Sequence, residues 1–259
     1  MKLAIRGQLT RRSDLIFGLV GLGLLAALWC LLTYGDFVGK FFLPTPTRMW
    51  EGLLDYHRKG WLLLSLWRSF VRVSKALGLV ILVGIPVGVL MGAFKPVDAL
   101  LQRIVGGAKS IPTTAITGVV VLWFGINDTG KIVFLFLGAI FFMIILVRNA
   151  IGGVPDEYVR VALDLGANRR QMIRMVLLPG ALPQIWEALI VCNGIMWTYI
   201  VLAEFISSNE EQLGLGYLLQ IGSRTQDPGK VFAILIVIGV VSAGTDYALH
   251  AVRRRFLDW

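Results

Sequence analysis

Residues 157–186 read EYVRVALDLGANRRQMIRMVLLPGALPQIW, a charged stretch set between apolar runs, and its reading decides the fold. Just before it, Pro155 suits the first position of a helix, and Asp156 and Glu157 suit the positive N-terminal end. Tyr158, Val159, Val161, Ala162, Leu163 and Leu165 supply apolar surface, and Gly166 is a natural left-handed stop. Asn168 then caps a second helix, with Gln171 three residues later completing a capping-box pair. Met172, Ile173, Met175 and Val176 give that helix an apolar side, while Arg169, Arg170 and Arg174 give it a charged one. Pro179 and Pro183 end it and re-aim the chain. The prediction is two short helices joined at Gly166, neither long enough to cross a bilayer, forming a rigid knob at a membrane surface. A passive interfacial loop is the competing reading.

The surroundings place the knob in a membrane protein. Only 16% of the 259 residues are charged, against roughly 25% in a soluble domain, and the mean hydropathy is +0.74. A spanning helix needs about 20 mostly apolar residues. Runs bounded by charges lie at 15–35, 76–94, 110–127, 132–147, 188–203 and 231–245, which predicts six spans. The last three are short, so their helices extend through flanking charged residues that snorkel or face a polar cavity. The first run is longer than the apolar core of a signal peptide and no small-x-small cleavage site follows it, so it reads as a span. Cys30 and Cys192 fall inside spans and read as structural thiols rather than a disulfide framework.

The net charge of +9 is arranged for a membrane, not for nucleic acid. With the N-terminus in the cytoplasm and six alternating spans, inner segments hold 15 Lys/Arg against 8 Asp/Glu. Outer segments hold 10 against 8. Inside is therefore +7 and outside +2, as the positive-inside tendency expects. Both termini are then cytoplasmic, with Arg11 and Arg12 at one inner end and Arg253, Arg254 and Arg255 at the other. The outer segment 36–75 departs from the trend with seven basic residues. Arg68, Arg72 and Lys75 share a helix face there, at the outer interface or a cavity.

Between the spans, Pro44 and Pro46 force extended backbone, after which Thr47 can cap an amphipathic helix with Trp50, Leu53 and Leu54 on one side. Trp61 and Trp67 mark the interface. Pro86 predicts a kink in the second span, and Gly84, Gly88 and Gly92 predict close contact with a neighbouring helix. Residues 100–109 and 110–124 read as one helix bent at Pro112. Gly125 to Lys131 fits G-x-x-x-x-G-K, but Ile132 follows where a phosphate-binding loop needs Ser or Thr. It reads as a turn between spans. His57 and His250 lie far apart without metal-ligand spacing, and no nucleophile–base constellation is present. Glu187, Glu204 and Asp246 are the intramembrane ionisable residues worth watching.

The opening stretch resembles the "EAA" loop of permease subunits of bacterial ABC importers. That pattern runs Glu-Ala-Ala, three residues, Gly, and later a hydrophobic residue followed by Pro. Here Arg160-Val161-Ala162 is followed by Leu163-Asp164-Leu165, Gly166, and later Leu178-Pro179. The second half, LGANRRQMIRMVLLPGALPQI, is very close to the family form. The first half departs from it, with Arg160 at the usual Glu, Val161 at the usual Ala, and Glu157 one turn earlier. The resemblance covers nearly the whole chain: FLPTPTRMW, GIPVGVLMG, IPTTAITGVVVLWFGINDTGKI and LAEFI…GLGYLL look like the branch of nitrate, bicarbonate, taurine and aliphatic-sulfonate permeases.

The resemblance implies an all-α, six-helix membrane protein with the type I importer permease fold, one domain over 1–259 in the bacterial inner membrane. Residues 1–14 would be a cytoplasmic tail and 149–182 a cytoplasmic coupling loop. It implies a second permease, identical or not, two ATPase subunits that carry ATP and magnesium, and an extracytoplasmic binding protein. This chain would bind no cofactor and have no catalytic site. Glu157, Arg160, Val161, Ala162, Asp164, Gly166, Ala167, Asn168, Arg169 and Pro179 would meet the ATPase. The branch implies a small anion as cargo. Thr113, Thr114, Asn193, Thr198 and Glu204 are candidate path-lining residues, each equally able to make a helix–helix hydrogen bond. A membrane scaffold that docks a cytoplasmic partner is the alternative function.

Overall fold

The computed structural model describes residues 10–205 and 212–256, so most of the tail at 1–14 and part of the segment between the last two spans lie outside the described residues. The described chain is built of helices. Helix α1 (Arg11–Tyr34) is capped by Thr10, whose side chain accepts the Ser13 N–H. It is almost wholly exposed, and its end is tied to the following loop by the Trp29 Nε1–H, which donates to the Pro44 carbonyl at 3.1 Å.

Helix α2 (Pro46–Arg58) is capped by Thr45 rather than Thr47. Pro46, with no N–H to satisfy, occupies the first helical position, and that makes its predecessor the cap. The inward face is Met49, Gly52 and Tyr56, not the expected Trp50, Leu53 and Leu54. Gly52 sits against Lys230 of the last helix, and the Tyr56 hydroxyl donates to the Leu218 carbonyl at 2.8 Å.

Helix α3 (Trp61–Ala93) starts well before the expected position 76, because Ser65, Ser69 and Arg72 lie on its buried face and not at an interface. Pro86 is carried inside it. Helix α6 (Asp128–Gly152) runs parallel to α3, in constant register. A Cβ at Gly84 would lie 2.7 Å from Met143, at Gly88 2.7 Å from Val147, and at Gly92 2.6 Å from Ile151. The glycine stripe, spaced four apart, is what lets the two backbones approach.

Between them, α4 (Lys95–Lys109) and α5 (Thr117–Phe124) flank a break and a short 3-10 turn, Thr113–Ile116. The expected bend at Pro112 is close to a right angle, 86°. Among the described residues, five helices are long and apolar enough to cross a membrane, and there are six where this bent pair is counted as one span. The glycine-lysine sequence after it is preceded by helix α5, not a strand, and Asn127 caps α6 by accepting the Gly130 N–H at 3.0 Å.

After α7 (Asp156–Asp164), α8 (Arg169–Gln171) passes through a π-helical stretch, Met172–Leu177, into α9 (Leu178–Phe205). This corrects the expectation of a second short helix ended by Pro179 and Pro183. Both prolines are absorbed within one continuous helix, Arg169–Phe205. A proline removes one i→i−4 bond and crowds the preceding turn, and the wider π turn just before Pro179 relieves that conflict. Helix α10 (Leu215–Arg224) is short and mostly buried. Helix α11 (Pro228–Phe256) is capped by Asp227, whose carboxylate accepts the Gly229 N–H at 3.1 Å. The core lies between α3, α6 and α9, with Leu135, Met143, Cys192, Met196 and Ile200 fully buried.

Candidate functional site

At one end of the bundle α7 turns back against the start of Arg169–Phe205. Gly166 has φ +75°. Its N–H donates to the Leu163 carbonyl at 2.9 Å, and the Ala167 N–H reaches back to the Ala162 carbonyl at 2.9 Å. These two bonds are the Schellman closure of a helix, which satisfies carbonyls that α7 would otherwise leave bare. Two residues on, the Gln171 N–H donates to Asn168 Oδ1 at 3.0 Å and the Asn168 N–H to Gln171 Oε1 at 2.8 Å, the reciprocal cap. Glu157, Arg160, Val161, Asp164, Asn168, Arg169 and Pro179 are exposed, while Ala162 and Ala167 are half-buried at the corner. Tyr158, Val161, Leu165, Met175, Val176 and Pro179 line a groove of about 690 Å³. Leu165 and Met175 are 83% and 73% exposed, which makes this an apolar surface held rigid by two caps.

At the far end of the same long helix stands a buried charge cluster. Glu204 is fully buried. Its Oε1 accepts from Arg72 Nη1 at 2.7 Å and its Oε2 from the Gly216 N–H at 2.9 Å. Ser69 Oγ lies 2.7 and 2.9 Å from the two carboxylate oxygens and accepts the Leu215 N–H at 2.9 Å. Arg72 turns its other nitrogens to Asp128 Oδ1 at 3.0 and 2.7 Å and also reaches the Leu213 carbonyl at 3.1 Å. Lys131, 4% exposed, donates to Gln212 Oε1 at 3.0 Å. Glycine at 214 and 216 is needed here: a Cβ at Gly214 would overlap the Glu204 carboxylate, and one at Gly216 would lie 2.7 Å from the Val201 carbonyl. Removing one partner of such a buried pair costs about 3–5 kcal/mol, because the other charge is left uncompensated.

The five polar residues expected along a path each have their own surroundings. Asn193 donates to Thr245 Oγ1 at 2.9 Å and Asp246 Oδ1 at 2.7 Å, joining α9 to α11. Thr198 is exposed and bonds back to the Gly194 carbonyl of its own helix at 3.1 Å. Thr113 is buried near Gly138, Thr114 is exposed at the break between α4 and α5, and Glu204 belongs to the cluster. Glu187 pairs with Arg253, again across α9 and α11. Sequence reasoning missed Ser69, Asp128, Lys131 and Gln212. The findable signal was Ser65, Ser69 and Arg72, spaced by four and three in an otherwise apolar helix.

The family described as "binding-protein-dependent transport system inner membrane component" matches residues 84–258. The taurine transport system permease protein TauC of Escherichia coli is 32% identical over all of this chain and 94% of its own length. The chain belongs to that permease family. The permease is also 30% identical to the putative aliphatic sulfonates transport permease protein SsuC of Bacillus subtilis, over 96% of this chain and 89% of that one. It is 25% identical to the bicarbonate transport system permease protein CmpB of Synechococcus elongatus, over 74% and 65%. In fold it is similar to a chain of the inward-facing MetNI methionine ABC transporter: TM-score 0.67, 22% identity, 75% of this chain and 95% of that one. A bacterial ABC transporter for alginate import gives a TM-score of 0.62 at 19% identity, covering 96% and 98%. The permease is therefore an all-helical, multi-pass membrane protein of the type I ABC importer fold.

Proposed function

We propose that this permease forms half of the translocation path for a small anion of the sulfonate or bicarbonate kind, moved inward at the expense of ATP hydrolysed on separate subunits. The observation that carries the reading is the apolar knob built on the first turn of a helix that goes on to cross the membrane. Glu157, Arg160, Val161, Ala162, Asp164, Gly166, Ala167, Asn168, Arg169 and Pro179 are the coupling surface, within a cytoplasmic loop at 149–182 of a single domain. Closure of an ATPase cleft around α7 pushes directly on Arg169–Phe205, giving alternating access. Magnesium and ATP belong to the two ATPase subunits, and an extracytoplasmic binding protein presents the solute. Both termini face the cytoplasm.

The break between α4 and α5 supports a path beside a second permease copy. Non-helical backbone at membrane depth is tolerated only against protein or a water-filled cavity, since lipid cannot satisfy its polar groups. Thr113 and Thr114 sit at that break. The anion class follows from the taurine, sulfonate and bicarbonate systems named for the relatives. The test is to co-express the chain with ATPase and binding-protein subunits of ABC importers from the same genome, reconstitute the complex in vesicles, and follow labelled taurine, bicarbonate and nitrate. ATP-dependent uptake of at least one is expected. A chain that captures no ATPase and moves none of the three defeats the proposal.

A further inference from the structure

Helix Arg169–Phe205 contains 37 residues, which at 1.5 Å per residue is about 55 Å. That exceeds the roughly 30 Å hydrocarbon core of a bilayer. One end is the capped corner beside α7, and Glu204 lies at the other end of the described span. The two are parts of a single hydrogen-bonded rod. At the Glu204 end the rod is not free. It is held to α3 through Arg72 and Ser69, and to the backbone of residues 215 and 216 both directly and through Ser69. Arg72 in turn holds α6 through Asp128 and residue 213 through its carbonyl.

We infer that Arg169–Phe205 is a transmission rod, and that Glu204 is the positioning residue through which its movement reaches the outer segment 213–216. The inference rests on the transporter reading above. Its physical basis is that a buried carboxylate cannot leave its partners cheaply. When α9 shifts or turns, Glu204 either carries Gly216 with it or exchanges one complete set of partners for another. A packed cluster of this kind has discrete arrangements and does not deform continuously. The outer entrance to α10 thereby registers the state of the knob across the membrane.

A cysteine placed at Leu213, which is 5% exposed, reads this coupling. It is introduced into the complete complex with its ATPase, and labelling by a membrane-impermeant maleimide is timed with and without vanadate-trapped Mg-ATP. The chain without the new cysteine serves as blank for Cys30 and Cys192. With Glu204 intact, trapping changes the labelling rate at least fivefold. With Glu204→Gln, the rate without nucleotide rises at least tenfold and the response to trapping shrinks below twofold, while ATPase co-purification stays as in wild type. A merely structural role would lower the yield of complex and leave the nucleotide response of each assembled complex unchanged; that result overturns the inference. If Glu204→Gln does not assemble, Ser69→Ala decides by the same ratio: a response halved or less supports the rod, an undiminished one overturns it. No nucleotide response in the Glu204 chain, with the ATPase bound, also overturns it. Failure of that chain to capture the ATPase defeats the transporter reading instead, and the inference with it.

Discussion

A β-carbon built at Gly166 meets no atom within 4 Å, so space does not require glycine there; the backbone does, at φ +75°. The two requirements predict different substitutions. Asn tolerates the left-handed region, whereas a β-branched residue resists it by about 1–2 kcal/mol. Gly166→Val should therefore tilt α7 and cut co-purification of the ATPase at least fivefold, with membrane insertion unchanged. Gly166→Asn should keep more than half of it. Equal loss in both variants would mean that contact with the glycine surface, not the corner angle, is what the partner reads.

The pairing of α3 with α6 is governed by a different kind of glycine. At Gly88 a methyl group would lie 2.9 Å from the Ile144 carbonyl, a backbone atom that cannot swing away, as well as against Val147. Gly78, on the same helix, has nothing within 4 Å. Gly88→Ala should destabilise the permease by about 1–3 kcal/mol, the usual cost of overpacking. Gly78→Ala should be neutral or slightly stabilising, since alanine favours a helix. Thermal melts of both in one detergent check this, and a Gly88→Ala melt equal to wild type would show that the helices separate at little cost. Helix α2 is fastened to α11 by charge as well as by Gly52: Asp55 lies 2.8 Å from Lys230 and 3.1 Å from Lys59. The hydrogen bond from Lys230 is the main cause that holds the Asp55 carboxyl below its usual 3.8; burial opposes it and Lys59 adds to it. A depressed carboxylate contributes its stability fully above the unfolded value and loses it as pH falls through the folded one. Asp55→Asn should thus melt below wild type at pH 7, and the gap should close as pH falls below about 4. A gap of the same size at pH 3 would point to shape, not charge.

For the molecule as a whole, the crossings alternate direction. Helices α3 and α6 are parallel, which needs one return crossing between them, and the bent α4–α5 pair supplies it. With the knob in the cytoplasm, the turn at Gln226 between α10 and α11 is outside and the C-terminal end of α11 inside. A phosphatase reporter inserted at Gln226 should be active, and one fused after the C-terminus inactive. Activity at both would break the topology.

What the sequence determined by itself is whatever depends on near neighbours in the chain. The corner at Gly166, the Asn168–Gln171 cap and the apolar length of the spans are local, and each is legible because its partners lie within a few residues. The glycine stripe of α3 was legible as a contact face, though not as one that meets α6. Tertiary structure alone decided the rest. Pro179 and Pro183 read as stops, yet the helix runs on through both, because the wider π turn just before Pro179 makes room for the proline ring and the lost bond. Arg72 read as a cation at the outer interface or a cavity, yet its partners are remote in sequence: Asp128 lies 56 positions away and Glu204 lies 132 away. An arginine is buried where a carboxylate is buried with it, as Glu204 is here, and only the folded chain brings those charges together.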